Sequence, residues 1–170
     1  MNTRLLIALA LVALTGCGRS ERDGPPTIRY GIDACAHCGM IISDARYAAA
    51  TIALVDGEQR ALLFDDIGDQ LDYAADHAEI KPIRRYVHDH QTRDWVSADA
   101  AQYVHAPSLH TPMGSGIAAF ASAASAHTFA DAHTGDGATL ASFEALTQRL
   151  HTPPASQPTN PPAASAAELQ

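Results

Sequence analysis

Residues 47–64 read YAAATIALV-DG-EQRALLF, and this stretch leaves little choice of local fold. Two apolar-rich runs meet at Asp56-Gly57, a pair that accepts the positive φ angles of a two-residue hairpin turn. A hairpin of Tyr47–Val55 with Glu58–Phe64 is therefore expected. Asp65 or Asp66 then caps a helix over Ile67–His77, with Ile67, Leu71 and Ala74 on one face. Ile83–Asp89 and Asp94–Ser97 read as another strand pair around HQTR, with Trp95 in the core. His88 and His90 flank Asp89 and read as a solvated face of that strand.

The second half echoes this plan. Ala101–Ala106 and Ile117–Phe120 read as strands, and Ser122–His133 as a helix closed by Gly135. Ala138–Leu140 is a short strand, and Ser142 caps a last helix, FEALTQRL. Strand pairs and helices in this order predict an α+β fold. The halves fall at residues 27–98 and 99–151, although their identity is too low to establish a repeat from sequence alone.

Neither end of the chain belongs to that domain. Arg4 and the apolar run Leu5–Leu14 have the form of a signal peptide, too short for a spanning helix. The run closes on Leu14-Thr15-Gly16-Cys17, which looks like a bacterial lipobox. Residues 1–16 are then removed, Cys17 carries lipid, and residues 17–26 are a linker. Multiple acyl chains anchor a protein stably. Gly18 rather than Asp follows the lipidated cysteine, which favours the outer membrane, facing the periplasm. Residues 152–170 (TPPASQPTNPPAASAAELQ) have no apolar periodicity and are expected to be disordered. Loss of the leader removes Arg4 and no acid, leaving ten basic residues against nineteen acidic ones, a charge of −9. Lys81 is the one lysine, and no basic stripe exists for nucleic acid.

Sulfur is the informative element. Beyond Cys17, the chain after the leader holds Cys35, Cys38, Met40 and Met113. Three of these lie in CAHCGM (35–40) and the fourth in HTPMGSG (110–116). Both methionines sit beside glycine in loop-like sequence, away from the helical stripes where core methionine is found. Thiolate and thioether donors select Cu(I) over hard cations. In an extended segment Cys38 and Met40 would share a face, with Gly39 leaving space between them. His37, by the same alternation, points away from Cys38, and its part as a ligand stays open. His110 is a supplementary donor three residues before Met113, and Cys35 is a further one.

Two other readings compete. A closed zinc site needs four Cys or His ligands, and a single CxxC would have to recruit histidines. CAHC also resembles the active-site CxHC of periplasmic disulfide oxidoreductases, whose histidine lowers the thiol pKa. Gly39 directly after Cys38 is poor for the helix start which that motif requires. The pair can still close into a disulfide and gate metal binding.

DACAHCGMIISDARYAA, LLFDDIGDQLDY and TPMGSGIAAFAS, in that order behind a lipobox, resemble the NosL family of nitrous oxide reductase accessory lipoproteins. The resemblance covers roughly residues 33–146. It implies two similar ββαβ units, akin to the C-terminal region of organomercurial lyase but without lyase activity, and no enzyme. It implies a periplasmic Cu(I) chaperone serving the copper centres of nitrous oxide reductase together with a membrane ABC-type maturation complex. By motif it maps metal ligation onto Cys38 and Met40, with Met113 as the third ligand. The alternatives are a thiol–disulfide oxidoreductase using Cys35 and Cys38, or a general periplasmic copper-binding lipoprotein.

Overall fold

The predicted hairpin is the spine of the first half. In the computed structural model, which describes residues 24–151, β1 (Ala49–Val55) pairs antiparallel with β2 (Glu58–Phe64), from Ala49↔Phe64 to Val55↔Glu58. The expected leader, Cys17 and the Pro-rich tail lie outside the described residues. Asp56 (φ 54°) and Gly57 (φ 80°) both take positive φ, the conformation a two-residue turn needs to match strand twist. β1 begins two residues later than expected, because Tyr47 and Ala48 are held in a turn by the Asp44 carbonyl.

Helix α1 (Ile67–Asp76) follows at once, capped by Asp66, whose Oδ1 accepts the Gly68 N–H at 2.8 Å. Ile67 and Leu71 are buried as expected, but Ala74 is exposed. Gln70 takes the buried position instead. Its Nε2 donates to the Ala50 carbonyl (2.8 Å) and to Thr51 Oγ1 (3.1 Å). The helix lies across strand backbone, so a long amide serves there where alanine would leave a carbonyl unmatched.

β3 (Pro82–His88) and β4 (Trp95–Ser97) complete an antiparallel sheet in the order β2-β1-β3-β4. The His88–Asp89–His90 run is not a solvated face. His88 and Asp89 are buried and His90 is half-buried, because the chain leaving β3 runs between the two halves of the molecule. Asp89 forms a parallel bridge with Ala119, and the His90 N–H donates to the Ala119 carbonyl at 2.8 Å. The His88 ring stacks on Trp95 with centroids 3.7 Å apart. Burial raises the pKa of the Asp89 carboxylate. Backbone N–H groups of Ala121, Thr92 and Gln91 more than offset this and hold it below the usual range.

The second half repeats the topology. β5 (Gln102–His105), β6 (Ile117–Phe120) and β7 (Thr139–Ala141) form a sheet ordered β6-β5-β7, as β2-β1-β3 is ordered, with the first strand central. Phe64-Asp65-Asp66 before α1 matches Phe120-Ala121-Ser122 before α2 (Ala123–Ala132), and Ser122, expected as the first helical residue, is instead the cap of α2. The chain after α2 ends its last turn at Gly137 (φ 76°), not at Gly135. α3 (Phe143–His151) closes the described chain, with Ser142 Oγ accepting the Ala145 N–H. Alternation divides the second sheet between two cores. Tyr103, Ile117 and Ala119 join Phe64, Ile67, Leu71 and Val87 in the main core, while Val104, Ala118 and Phe120 face α2. The fold is α+β with two antiparallel sheets that share one core.

Candidate metal centre

CAHCGM folds as a tight turn, not as an extended run. Ala34 bridges Ile41, the Cys35 N–H donates to the Met40 carbonyl (2.8 Å), and the Gly39 N–H donates to the Cys35 carbonyl (3.0 Å). Gly39 at φ 74° makes that closure cheap. Backbone curvature, rather than strand alternation, therefore sets where the two cysteines and Met40 point. The turn is pinned beside β2 by the Ala36 N–H, which donates to the Leu63 carbonyl at 2.7 Å.

Both cysteines are free thiols, and both donate to a single atom, Asp69 Oδ2, at 3.1 Å from Cys35 Sγ and 3.2 Å from Cys38 Sγ. The three ligand atoms lie within 4.8 Å of one another. Cys35 and Asp69 are buried and Cys38 is half-buried. Burial pushes the Cys38 thiol up to about 12, and the hydrogen bond to Asp69 adds to that rise. A metal ion that takes this sulfur must displace its proton.

Asp69 was not legible as a site residue from the pattern, where it passes for a helix-start acid. The signal was present in FDDIGD, which carries three acids where a cap needs one. All three are buried, and each holds a different segment. Asp65 accepts from the Ser43 N–H (2.7 Å) and Ser43 Oγ, just past the cysteine turn. Asp66 holds the methionine loop: Oδ2 accepts from Thr111 Oγ1 (2.6 Å) and the Met113 N–H (3.0 Å), and Oδ1 accepts from Ser115 Oγ. Asp69 holds the thiols.

Asp69 also lines a cleft of about 230 Å³ with Met113, Ser115, Asp72, His105 and Leu146. The cleft brings the second sulfur loop to the carboxylate that binds both cysteines. Met40 (58 % exposed) and Met113 (43 % exposed) are large apolar side chains left open to solvent. His37 is exposed and meets the edge of Tyr73, and His110 is exposed in the methionine loop. Among the described residues no histidine joins the cluster of Cys35, Cys38 and Asp69, so a four-ligand zinc set is not assembled there. The cysteine pair also does not cap a helix, as a disulfide oxidoreductase motif would. The arrangement offers soft sulfur donors, a carboxylate that accepts hydrogen bonds from both thiols, and an open face.

The family model for NosL matches residues 30–150. The crystal structure of the copper chaperone NosL from Shewanella denitrificans superposes with a TM-score of 0.55 at 23 % identity, covering 74 % of this chain and 99 % of that one. No curated protein matches the chain significantly in sequence. With the model spanning most of the chain and both sulfur loops, this protein belongs to the NosL family.

Proposed function

We propose that this protein is a periplasmic copper-binding chaperone whose cargo is Cu(I). The observation that carries the reading is the sharing of Asp69 Oδ2 by the Cys35 and Cys38 thiols, on the wall of a cleft that also holds Met113. A thiolate with thioethers is a donor set for Cu(I) rather than for hard cations. Membership in the NosL family supports the same reading, as does the description of the Shewanella denitrificans protein as a copper chaperone.

Cys38, Met40 and Met113 supply the ligand set, and Cys35 stands beside Cys38 as a further donor. Before copper arrives, Asp69 Oδ2 accepts both thiol hydrogens. As the ion takes Cys38 Sγ, the displaced proton passes by way of that carboxylate to solvent. Two exposed thioethers leave room for an acceptor's ligand to enter before they depart, so the ion moves by exchange. The finer reading is delivery of copper for nitrous oxide reductase, together with a membrane ABC-type maturation complex. A lipid on Cys17, on the outer membrane facing the periplasm, would confine the search to a surface and raise the effective concentration of membrane partners.

The test is an anaerobic Cu(I) titration of the reduced protein against a chromophoric Cu(I) chelator, with Cys38→Ser, Met40→Ala, Met113→Ala and Cys35→Ser alongside. Stoichiometric binding is expected, lost in Cys38→Ser and weakened about tenfold or more by each methionine change, about 1.4 kcal/mol or more. Binding that ignores both methionines would overturn their part as ligands, and failure to compete with the chelator would overturn the copper reading. That failure would direct attention to the reduction potential of the Cys35–Cys38 pair.

A further inference from the structure

We propose that Asp66 is a positioning residue for copper binding: it docks the loop of residues 111–115 so that the Met113 thioether faces the cysteine turn. The proposal rests on the copper reading above and extends it to how the two sulfur segments are brought together.

Cys35 and Cys38 belong to the first half of the fold, and Met113 to the connection between β5 and β6 in the second. Nothing in the local conformation of either segment makes them meet. The first turn of α1 does. Asp66 and Asp69 are three residues apart, a spacing that makes side chains neighbours on one helical turn. Asp69 binds the thiols, while Asp66 binds Thr111 Oγ1, the Met113 N–H and Ser115 Oγ. The bond to the Met113 N–H fixes the backbone of the ligand residue itself. A fourth donor, the Gly68 N–H, ties the same carboxylate to the helix. Both oxygens of Asp66 thus accept two donors each, and the side chain is fully buried.

Gly68 completes the dock. A Cβ at that position would lie 2.6 Å from Ser115 Cβ, so the loop sits directly against the helix backbone. Glycine is disfavoured in a helix relative to alanine, and the close approach of the loop is what requires it here. The coexistence of FDDIG and TPMGS in one chain is then explained. Asp66 and Gly68 form one half of a latch, and Thr111, Met113 and Ser115 form the other. The latch sets the distance between thiols and thioether.

Asp66→Asn keeps the shape but turns an acceptor into an amide that faces donors. The full-length protein, purified in detergent and reduced, is titrated with Cu(I) against bathocuproine disulfonate as wild type, Asp66→Asn, Met113→Ala and the double variant. Methyl-13C-methionine labelling reports the Met113 resonance in parallel. Asp66→Asn is expected to weaken binding by about the same factor as Met113→Ala, about tenfold or more. The double variant should be no weaker than Met113→Ala, and copper should no longer shift the Met113 methyl signal in Asp66→Asn. Wild-type affinity in folded Asp66→Asn, or an equal further loss when it is added to Met113→Ala, overturns the proposal. Wild-type affinity in Met113→Ala overturns the copper role of Met113 and the proposal with it. Should Asp66→Asn fail to fold, Thr111→Val with Ser115→Ala removes two loop donors, keeps the helix cap, and carries the same expectations.

Discussion

Gly68→Ala isolates the contact between α1 and the methionine loop. On helix propensity alone the change should stabilise by up to about 1 kcal/mol, since alanine outranks glycine in a helix. The structure opposes this. The new Cβ would stand 2.6 Å from Ser115 Cβ and 3.3 Å from Asp66 Oδ1, against roughly 3.5–4.0 Å for relaxed carbon contacts. The loop must retreat by about 1 Å, and overpacking of this kind costs about 1–3 kcal/mol. Retreat also breaks the Ser115 hydrogen bond to a carboxylate, about 1.5–3 kcal/mol more. With the propensity gain deducted, the net loss is about 1.5–5 kcal/mol, centred near about 3 kcal/mol. For a domain of this size the central value is roughly 9–12 °C in Tm. The assay is thermal unfolding followed by circular dichroism for wild type, Gly68→Ala, Ser115→Gly and the double variant. The singles share one clash and one bond, so the double should cost at least about 1 kcal/mol less than their sum. A Gly68→Ala protein at least as stable as wild type, or strict additivity, would refute the latch geometry.

Three further outcomes are expected. Burial pulls both His88 and His90 below the ordinary histidine value, and His90 Nδ1 is buried with no partner among the described residues. The unfolded chain binds their protons first, so stability is full above about pH 6.5 and falls as the pH drops below it. His90→Phe, set among Tyr47, Phe120 and Phe129, should stabilise by about 1 kcal/mol and flatten that slope; Tm measured at pH 5.5 and 7.5 decides, and unchanged slopes would count against it. Asp89→Asn should cost about 2–4 kcal/mol in urea unfolding, because one carboxylate satisfies the Gln91, Thr92 and Ala121 N–H groups. The Asp89 contribution is complete above about pH 3.9 and is lost as the pH falls through its lower folded value. The variant should therefore show a smaller acid loss, and an equal one would be contrary. Copper binding at pH 7 should release at least one proton per ion in weakly buffered solution, since a protonated thiol becomes a ligand; binding with no proton released would argue against Cys38 thiolate ligation.

Much of the fold was written locally. Asp56-Gly57 dictates a two-residue turn because both positions take positive φ, and the register from Ala49↔Phe64 to Val55↔Glu58 follows from that turn. Asp66 and Ser122 cap their helices because a short polar side chain after a strand meets free backbone N–H groups there. The concentration of sulfur in two glycine-containing loops was likewise visible before any coordinates. What failed were inferences that needed a neighbour. Ala74 fits the helical stripe, yet Gln70 is buried in its place, because β1 and β3 present carbonyls to that face. His88, Asp89 and His90 look like an exposed strand edge until the second sheet closes over them.

The sequence by itself determined where the sulfur-bearing residues and the turns lie, because side-chain chemistry and backbone φ preferences belong to single residues and their immediate neighbours. The tertiary structure decided that Asp69 serves both cysteines and that Asp66 holds the methionine loop. Those relations join residues 31 to 49 positions apart in the chain. Residues so far apart meet through the packing of two sheets on a shared core, and no local spacing encodes it.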